Sequence, residues 1–365
     1  MSKVIDVRNL SRVFAGRPAV DNISFSVDEG EVLAIVGSSG CGKTTTLRCI
    51  AGLETPTSGT IAIDGKAVVG EGVFVAPERR GIGMVFQSYA LWPHKTIADN
   101  VAYSLVVRGV PKAEIAVAVE QALDLVGLRG MGDRFPATMS GGQQQRVAVA
   151  RCAVAEPRVL LLDEPLSNLD AKLREQMRDE LRYLITKIRS TAIHITHDQT
   201  EAMAIADRIV CMRDGCIEQV GSGRELYRRP ASRFVADFIG VTTFLDGALL
   251  GKDAAGRATI RLAGGVDLLS AVQPQSSAVE QVTVSIRPEN FNLHSTRPEG
   301  INVFEGTITS EIFLGDHIEY AVSHGGDKLK CRSLLDFAVG SKVFVQVDPD
   351  DVVYFANQPE KAVAA

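Results

Sequence analysis

Short, almost wholly apolar runs punctuate the first two-thirds of the chain: Glu31 to Val36, Val159 to Leu162, Ala192 to Ile195 and Arg208 to Met212. Runs of this length and composition predict strands buried on both faces. Helical periods lie between them. From Asp170 to Arg189, the residues Leu173, Met177, Leu181, Leu184 and Ile188 recur at steps of three and four and form one apolar stripe. Lys112 to Leu128 follows Pro111 and weakens at Gly127, which are helix start and stop signals. Gly59 to Val68 alternates apolar and polar residues around Asp64-Gly65 and predicts a hairpin. Strands alternating with helices predict an α/β fold.

The pattern changes near residue 240. Helical periods vanish, and short strand-like runs take over: Ala258 to Leu262, Val282 to Ile286, Ile301 to Ile312, His317 to Val322, Lys328 to Leu334 and Lys342 to Val347. Turn pairs such as Gly264-Gly265 and Gly325-Gly326 separate them, which predicts a small β-barrel or sandwich. The expected domains are therefore 1–240 and 241–365, ending in a loose tail from about Gln358. A chain of 365 residues has room for both.

Charge refines this division. Residues 241–365 hold 10 Lys and Arg against 16 Asp and Glu, while the remainder is nearly balanced, at 29 against 28. With no basic run, a nucleic-acid duplex is a poor partner. No apolar stretch approaches the roughly 18 residues of a membrane span. The first ten residues lack the apolar core of a signal peptide, so the chain is expected to stay in the cytoplasm. Cys41, Cys49, Cys152, Cys211, Cys216 and Cys331 form no CxxC pair and read as ordinary thiols in a reducing compartment.

Two motifs carry chemistry. Gly37-Ser38-Ser39-Gly40-Cys41-Gly42-Lys43-Thr44 matches G-x-x-x-x-G-K-[ST] at every fixed position, and Thr45 follows. It stands between a predicted strand and a predicted helix from Lys43 to Ile50, where successive amides and the helix N-terminus cradle phosphates. Lys43 should reach the β- and γ-phosphates, and the Thr44 hydroxyl should bind Mg²⁺. The strand Val159 to Leu162 ends in Asp163 and Glu164. At the carboxyl edge of an open sheet, Asp163 would hold Mg²⁺ and Glu164 would face the attacking water as general base.

With these motifs, residues 1 to about 240 resemble the ATP-binding-cassette family. Met139-Ser140-Gly141-Gly142-Gln143 is similar to the family's LSGGQ signature, with Met for Leu, and opens a helix running to about Ala155. The resemblance implies that this signature completes the nucleotide site of an opposite subunit, so that a homodimer holds two ATP molecules. It also implies that Gln87 is the Q-loop glutamine, which senses Mg²⁺, and that His197 is the switch histidine at the γ-phosphate. Ser167-Asn168-Leu169-Asp170 corresponds to the D-loop, with Asp170 communicating across the dimer. Phe14 takes the place of an adenine-stacking aromatic, and Val20 would line the same face. The aromatic and apolar segment from Tyr89 to Asn100 is either local core or, as the resemblance implies, the surface that receives a permease subunit.

Ser285-Ile286-Arg287-Pro288-Glu289 resembles a segment of the OB-like, TOBE-type accessory domain of maltose-, polyamine- and iron-importer ATPases. Gly221 to Gly240 is similar to the passage between the two domains in that group. Arg287 and Glu289 are either a structural ion pair or an interface element. The implied protein is an importer ATPase at the cytoplasmic face of the cell membrane. Two transmembrane permease subunits and, through them, a solute-binding protein would be its partners, with no direct nucleic-acid contact. Iron(III), polyamine or a related small solute is the expected cargo, with a sugar as the alternative. A soluble cassette ATPase acting on ribosomes or nucleic acid is the competing class, and the acidic barrel and absence of sustained heptads speak against it.

Overall fold

The computed structural model describes residues 2–188, 190–272 and 280–357, so the expected tail from Gln358 lies outside the described residues. The chain divides into two compact units, Met1–Gly223 and Arg224–Ala365.

In chain order, the first unit contains β1 (Lys3–Phe14), β2 (Arg17–Asp28), β3 (Val32–Gly37), α1 (Lys43–Ala51), β4 (Ser58–Ile63), β5 (Lys66–Gly70) and β6 (Val73–Phe74). There follow β7 (Ile82–Val85), α2 (Ile97–Val107), α3 (Lys112–Leu125), α4 (Gly141–Ala153), β8 (Val159–Asp163), α5 (Ala171–Ile188), β9 (Thr191–Ile195), α6 (Gln199–Ile205), β10 (Arg208–Arg213) and β11 (Cys216–Gly221). A six-stranded sheet runs β11-β10-β3-β9-β8-β7. The strands from β10 to β7 pair in parallel, and only β11 runs antiparallel. Every residue of β3, β8 and β9 is buried, as their continuous apolar runs require. A second, antiparallel sheet runs β2-β1-β4-β5-β6.

One core gathers β8 side chains with α2 to α5, where Met177, Leu181 and Leu184 of the expected stripe are buried. Another packs both sheets around α1. The β4–β5 turn sits at Asp64 and Gly65, with φ of 52° and 73°, the two positive values a type I′ hairpin needs. Helix α3 stops at Leu125, short of the expected Leu128. The Leu128 amide donates to Leu123 O at 2.8 Å around Gly127 in the left-handed region, which closes the helix. β1 and β2 pair with repeated register shifts.

The second unit carries α7 (Gly223–Arg228) and α8 (Arg233–Phe238), then β12 (Thr243–Lys252), β13 (Ala258–Leu262), β14 (Asp267–Ser270), β15 (Gln281–Ile286), β16 (Asn292–His294), β17 (Val303–Phe313), β18 (Ile318–His324), β19 (Asp327–Ser333), β20 (Lys342–Gln346) and β21 (Val353–Ala356). They form two five-stranded antiparallel sheets, β14-β13-β12-β15-β21 and β16-β20-β17-β18-β19, which share one core. All six expected runs are strands.

The units part at Gly223, whereas the composition changes near 240. Arg287 explains the difference. Its guanidinium is buried and donates to the carbonyls of Ala236 (2.8 Å), Gly240 (3.1 Å), Val241 (3.1 Å) and Tyr227 (3.2 Å). It also stacks 4.3 Å from the Tyr227 ring centre. Arg287 thus ties α7 and α8 to the β-rich unit. It forms no ion pair with Glu289, which instead accepts from the Tyr227 hydroxyl and lies 3.8 Å from Arg332. Arg287→Ala is expected to cost about 2–4 kcal/mol, because it strands buried carbonyls. Thermal denaturation of the full chain checks this, and an unchanged melting profile would refute it.

Candidate active site

Because β7, β8, β9 and β3 are parallel neighbours, whatever follows their carboxyl ends gathers at one edge. Gln87 follows β7, Asp163 ends β8 with Glu164 next, His197 follows β9, and the glycine-rich loop follows β3. Residues scattered over more than 150 positions therefore meet.

Ser38, Ser39 and Gly40 form the exposed tip of the loop, while Cys41 and Gly42 are buried. Gly42 has φ 103°, and a Cβ there would stand 2.3 Å from Ala19 O. A Cβ on Gly37 would stand 2.2 Å from Met212 O. The backbone must pass this close to its neighbours to curl, so glycine is obligatory at both positions. Helix α1 begins at Lys43 with no side-chain cap, which leaves its first amides for an anion. Lys43 is 7% exposed, and its ammonium donates to Gly37 O (2.8 Å) and Ser38 O (3.0 Å). The cation is thus held beneath the cradle by the loop it serves. Thr44 and Thr45 are half-buried on the first turn of α1.

Glu164 is the hub of the opposite wall. It adopts φ 48°, and its amide donates to Ile195 O at 3.0 Å. Its Oε2 accepts from Gln87 Nε2 at 3.2 Å and lies 3.4 Å from His197 Nδ1. Asn168 Nδ2 donates to Gln87 O at 2.8 Å, and Ser167 Oγ to Glu164 O at 2.9 Å. Left-handed backbone at a non-glycine residue is strain held by its surroundings, a common mark of functional positions. His197 is more than half exposed and free to meet a ligand.

Asp163 is 8% exposed, and its carboxylate makes no hydrogen bond or ion pair among the described residues. Burial raises its pKa, nearby Arg48 lowers it and Glu164 raises it further. A buried carboxylate with no hydrogen-bonded or ion-paired partner among the described residues suits a hard divalent cation. The raised pKa also fixes a sign. Below the unfolded pKa the acid is neutral in both states and burial costs nothing. As pH rises through the raised folded pKa, the cost becomes complete. Asp163→Asn should therefore raise the melting temperature of the nucleotide- and metal-free protein at pH 7, with the gain fading below the ordinary carboxylate range. A gain that persists undiminished under acid would contradict the assignment.

Ser140 caps α4. Its Oγ accepts from the Gln143 amide (3.4 Å), and Gln143 Oε1 accepts from the Ser140 amide (3.1 Å), forming a capping box. Gly141 and Gly142 sit where a Cβ would come within 3.0 Å of Leu169 and 3.3 Å of Met177. This segment makes no hydrogen bond to the glycine-rich loop, Glu164 or His197 among the described residues. Asp170 Oδ1 accepts from the Leu173 amide at 2.9 Å and starts α5. Phe14 is exposed at the end of β1, with the Arg12 guanidinium 4.3 Å from its ring centre. Val20 is fully buried, and its Cγ2 lies 3.2 Å from where a Gly42 Cβ would be. It supports the loop from beneath and presents no face to a ring.

Some supports carry no sequence signal. Arg174, in the first turn of α5, donates to Leu166 O (3.3 Å) and Leu169 O (2.9 Å) and reaches Asp198 at 4.0 Å. Arg151 donates to Tyr89 O and Ala90 O, whose residues are both left-handed. In the segment from Tyr89 to Asn100, Tyr89 and Asn100 are buried. Asn100 braces the loop through both Trp92 N and Trp92 O. Beside it, Trp92 packs 4.4 Å from exposed Tyr103, with Val106 and Val107 exposed further along α2.

A phosphate cradle, a buried metal-ready acid and a glutamate–histidine pair define a P-loop nucleotide hydrolase. Comparison with known proteins narrows the class. The model of the ABC transporter family matches residues 20–167, and that of the TOBE domain matches residues 284–355. The Fe(3+) ions import ATP-binding protein of Brucella melitensis is 45% identical over 94% of each chain. The spermidine/putrescine import ATP-binding protein of Rubrobacter xylanophilus is 44% identical over 87% of this chain and 82% of its own. Among solved structures, a dimeric ATP-binding cassette in a post-hydrolysis state with ADP and Pi aligns at TM-score 0.53 and 30% identity, covering 60% of this chain and 98% of that one. This chain belongs to the ABC transporter family of ATPases, in the group with a C-terminal TOBE domain.

Proposed function

We propose that this chain is the ATP-hydrolysing subunit of an ABC importer for iron(III). The observation that carries the catalytic reading is the convergence of Gln87 and His197 on Glu164 Oε2, beside the glycine-rich loop. Glu164 is the general base for the attacking water, and His197 orients it and contacts the γ-phosphate. Ser38 to Thr45 bind the triphosphate. Thr44, Gln87 and Asp163 hold Mg²⁺, which when bound neutralises phosphate charge. Phe14 stacks on adenine. Ser140 to Gln143 of one copy close over the ATP of a second, and Asp170 lies at that junction. A capped helix N-terminus with no hydrogen bond to its own chain's site fits such a role.

Closure on ATP and reopening after hydrolysis would drive two permease subunits, contacted through half-buried Trp92 and the exposed Tyr103, Val106 and Val107. No helix among the described residues is long and apolar enough to cross a membrane. The chain then works as a peripheral subunit on the cytoplasmic face, with a solute-binding protein delivering cargo to the permease. Relatives named for Fe(3+) import match nearly the whole chain at 44–47% identity, which supports iron(III) as the cargo. Polyamine is the second reading, favoured by the 44% identity to a spermidine/putrescine relative. Uptake of labelled iron(III) and labelled spermidine by cells with and without the gene tests both. Loss of iron uptake alone is expected, and loss of spermidine uptake alone would reverse the order.

A further inference from the structure

Directly behind His197 lies a buried polar cluster that the hydrolytic reading does not use. His194, on β9, is 0% exposed, and Glu201, in the first turn of α6, is 2% exposed. His194 Nε2 stands 2.7 Å from Glu201 Oε1, although the ring is not turned into hydrogen-bond alignment, and His194 Nδ1 has no partner. Glu201 Oε2 accepts from Thr196 Oγ1 at 2.9 Å. The same Thr196 oxygen accepts from the Asp198 amide at 2.9 Å. Asp198 Oδ1 in turn caps α6, accepting from the amides of Thr200 (2.8 Å) and Glu201 (3.1 Å). The cluster thus grips the residue before His197 and the residue after it.

A packed apolar pair would fill this space at lower cost than a buried carboxylate and imidazole. Stability is therefore a poor reason for the cluster. Its polar bonds fix the backbone on both sides of an otherwise exposed histidine, whose ring must hold its place beside Glu164 Oε2.

We infer that His194, Glu201 and Thr196 are positioning residues that set the ring of His197 for hydrolysis. This rests on the reading of His197 given above. Glu201→Gln keeps the shape and an oxygen for Thr196 but removes the charge. It should lower kcat about tenfold, the size of one charge-assisted hydrogen bond, and leave KM for ATP unchanged. Thr196→Val, which cuts the link from Glu201 to Asp198, should act in the same direction and serves if Glu201→Gln does not fold.

Both substitutions are then repeated in a His197→Ala background, where positioning has nothing left to act on. The expected result is that neither lowers the residual rate further. If each lowers it by the same factor as in the parent, the cluster only holds the fold and the proposal fails. It fails equally if the single variants hydrolyse at the parent rate while His197→Ala is impaired. If His197→Ala itself hydrolyses ATP like the parent, the reading of His197 falls, and this inference falls with it.

Discussion

Glu164→Gln is expected to bind ATP as tightly as the parent while hydrolysing it about 10²–10⁴-fold more slowly, the usual contribution of a positioned base. The amide keeps the size of the carboxylate. Its oxygen can still accept from Gln87 Nε2, now at 3.2 Å, so the wall of the site should stand. On the proposed reading, what disappears is the carboxylate that takes a proton from water while His197, 3.4 Å away, orients it. If, as proposed, closure follows ATP binding and reopening follows hydrolysis, the variant should accumulate an ATP-bound dimer. Phosphate release measures the first effect, and light scattering with and without ATP measures the second. A variant that hydrolyses at the parent rate would remove Glu164 as the base.

Lys43→Ala should weaken ATP binding about a hundredfold or more, since each hydrogen bond to a charged group contributes about 1.5–3 kcal/mol. Two roles end together. On the proposed reading the ammonium reaches the phosphates, and in the structure it ties Gly37 O and Ser38 O into the curl of the loop. Alanine would remove the charge and leave two carbonyls inside the cradle without their donor. Titration calorimetry with ATP measures the loss. Affinity within a few-fold of the parent would mean that the loop amides alone bind the triphosphate, contrary to the assignment.

Much of this was legible beforehand because some motifs are dictated by short-range chemistry. Gly37 and Gly42 announce themselves since no other residue can pass Met212 O and Ala19 O at the distances found. The run Val159 to Leu162 reads as a strand because it is buried on both faces. Val20 misled because an apolar residue near a binding loop reads the same whether it faces the ligand or lies beneath the loop. Arg287 was visible as an unusual charge in a β-rich segment, but its partners, Ala236, Gly240, Val241 and Tyr227, lie some fifty residues upstream. No local pattern links them, and the boundary of the second unit shifted accordingly.

The sequence by itself determined the phosphate loop, the strand acids, the alternation of strands and helices and the change to an all-β second part. Each is encoded within a dozen or so neighbouring residues, through backbone sterics or hydrophobic period. Only the tertiary structure decided that Gln87 and His197 both meet Glu164, that Asp163 is buried with no hydrogen bond or ion pair among the described residues, and that His194 and Glu201 lie behind His197. Those facts depend on which strands are neighbours in the order β3-β9-β8-β7 and on which side chains that order deprives of water. Strand order and desolvation are properties of the packed chain, summed over contacts distant in sequence, and no local run of residues carries them.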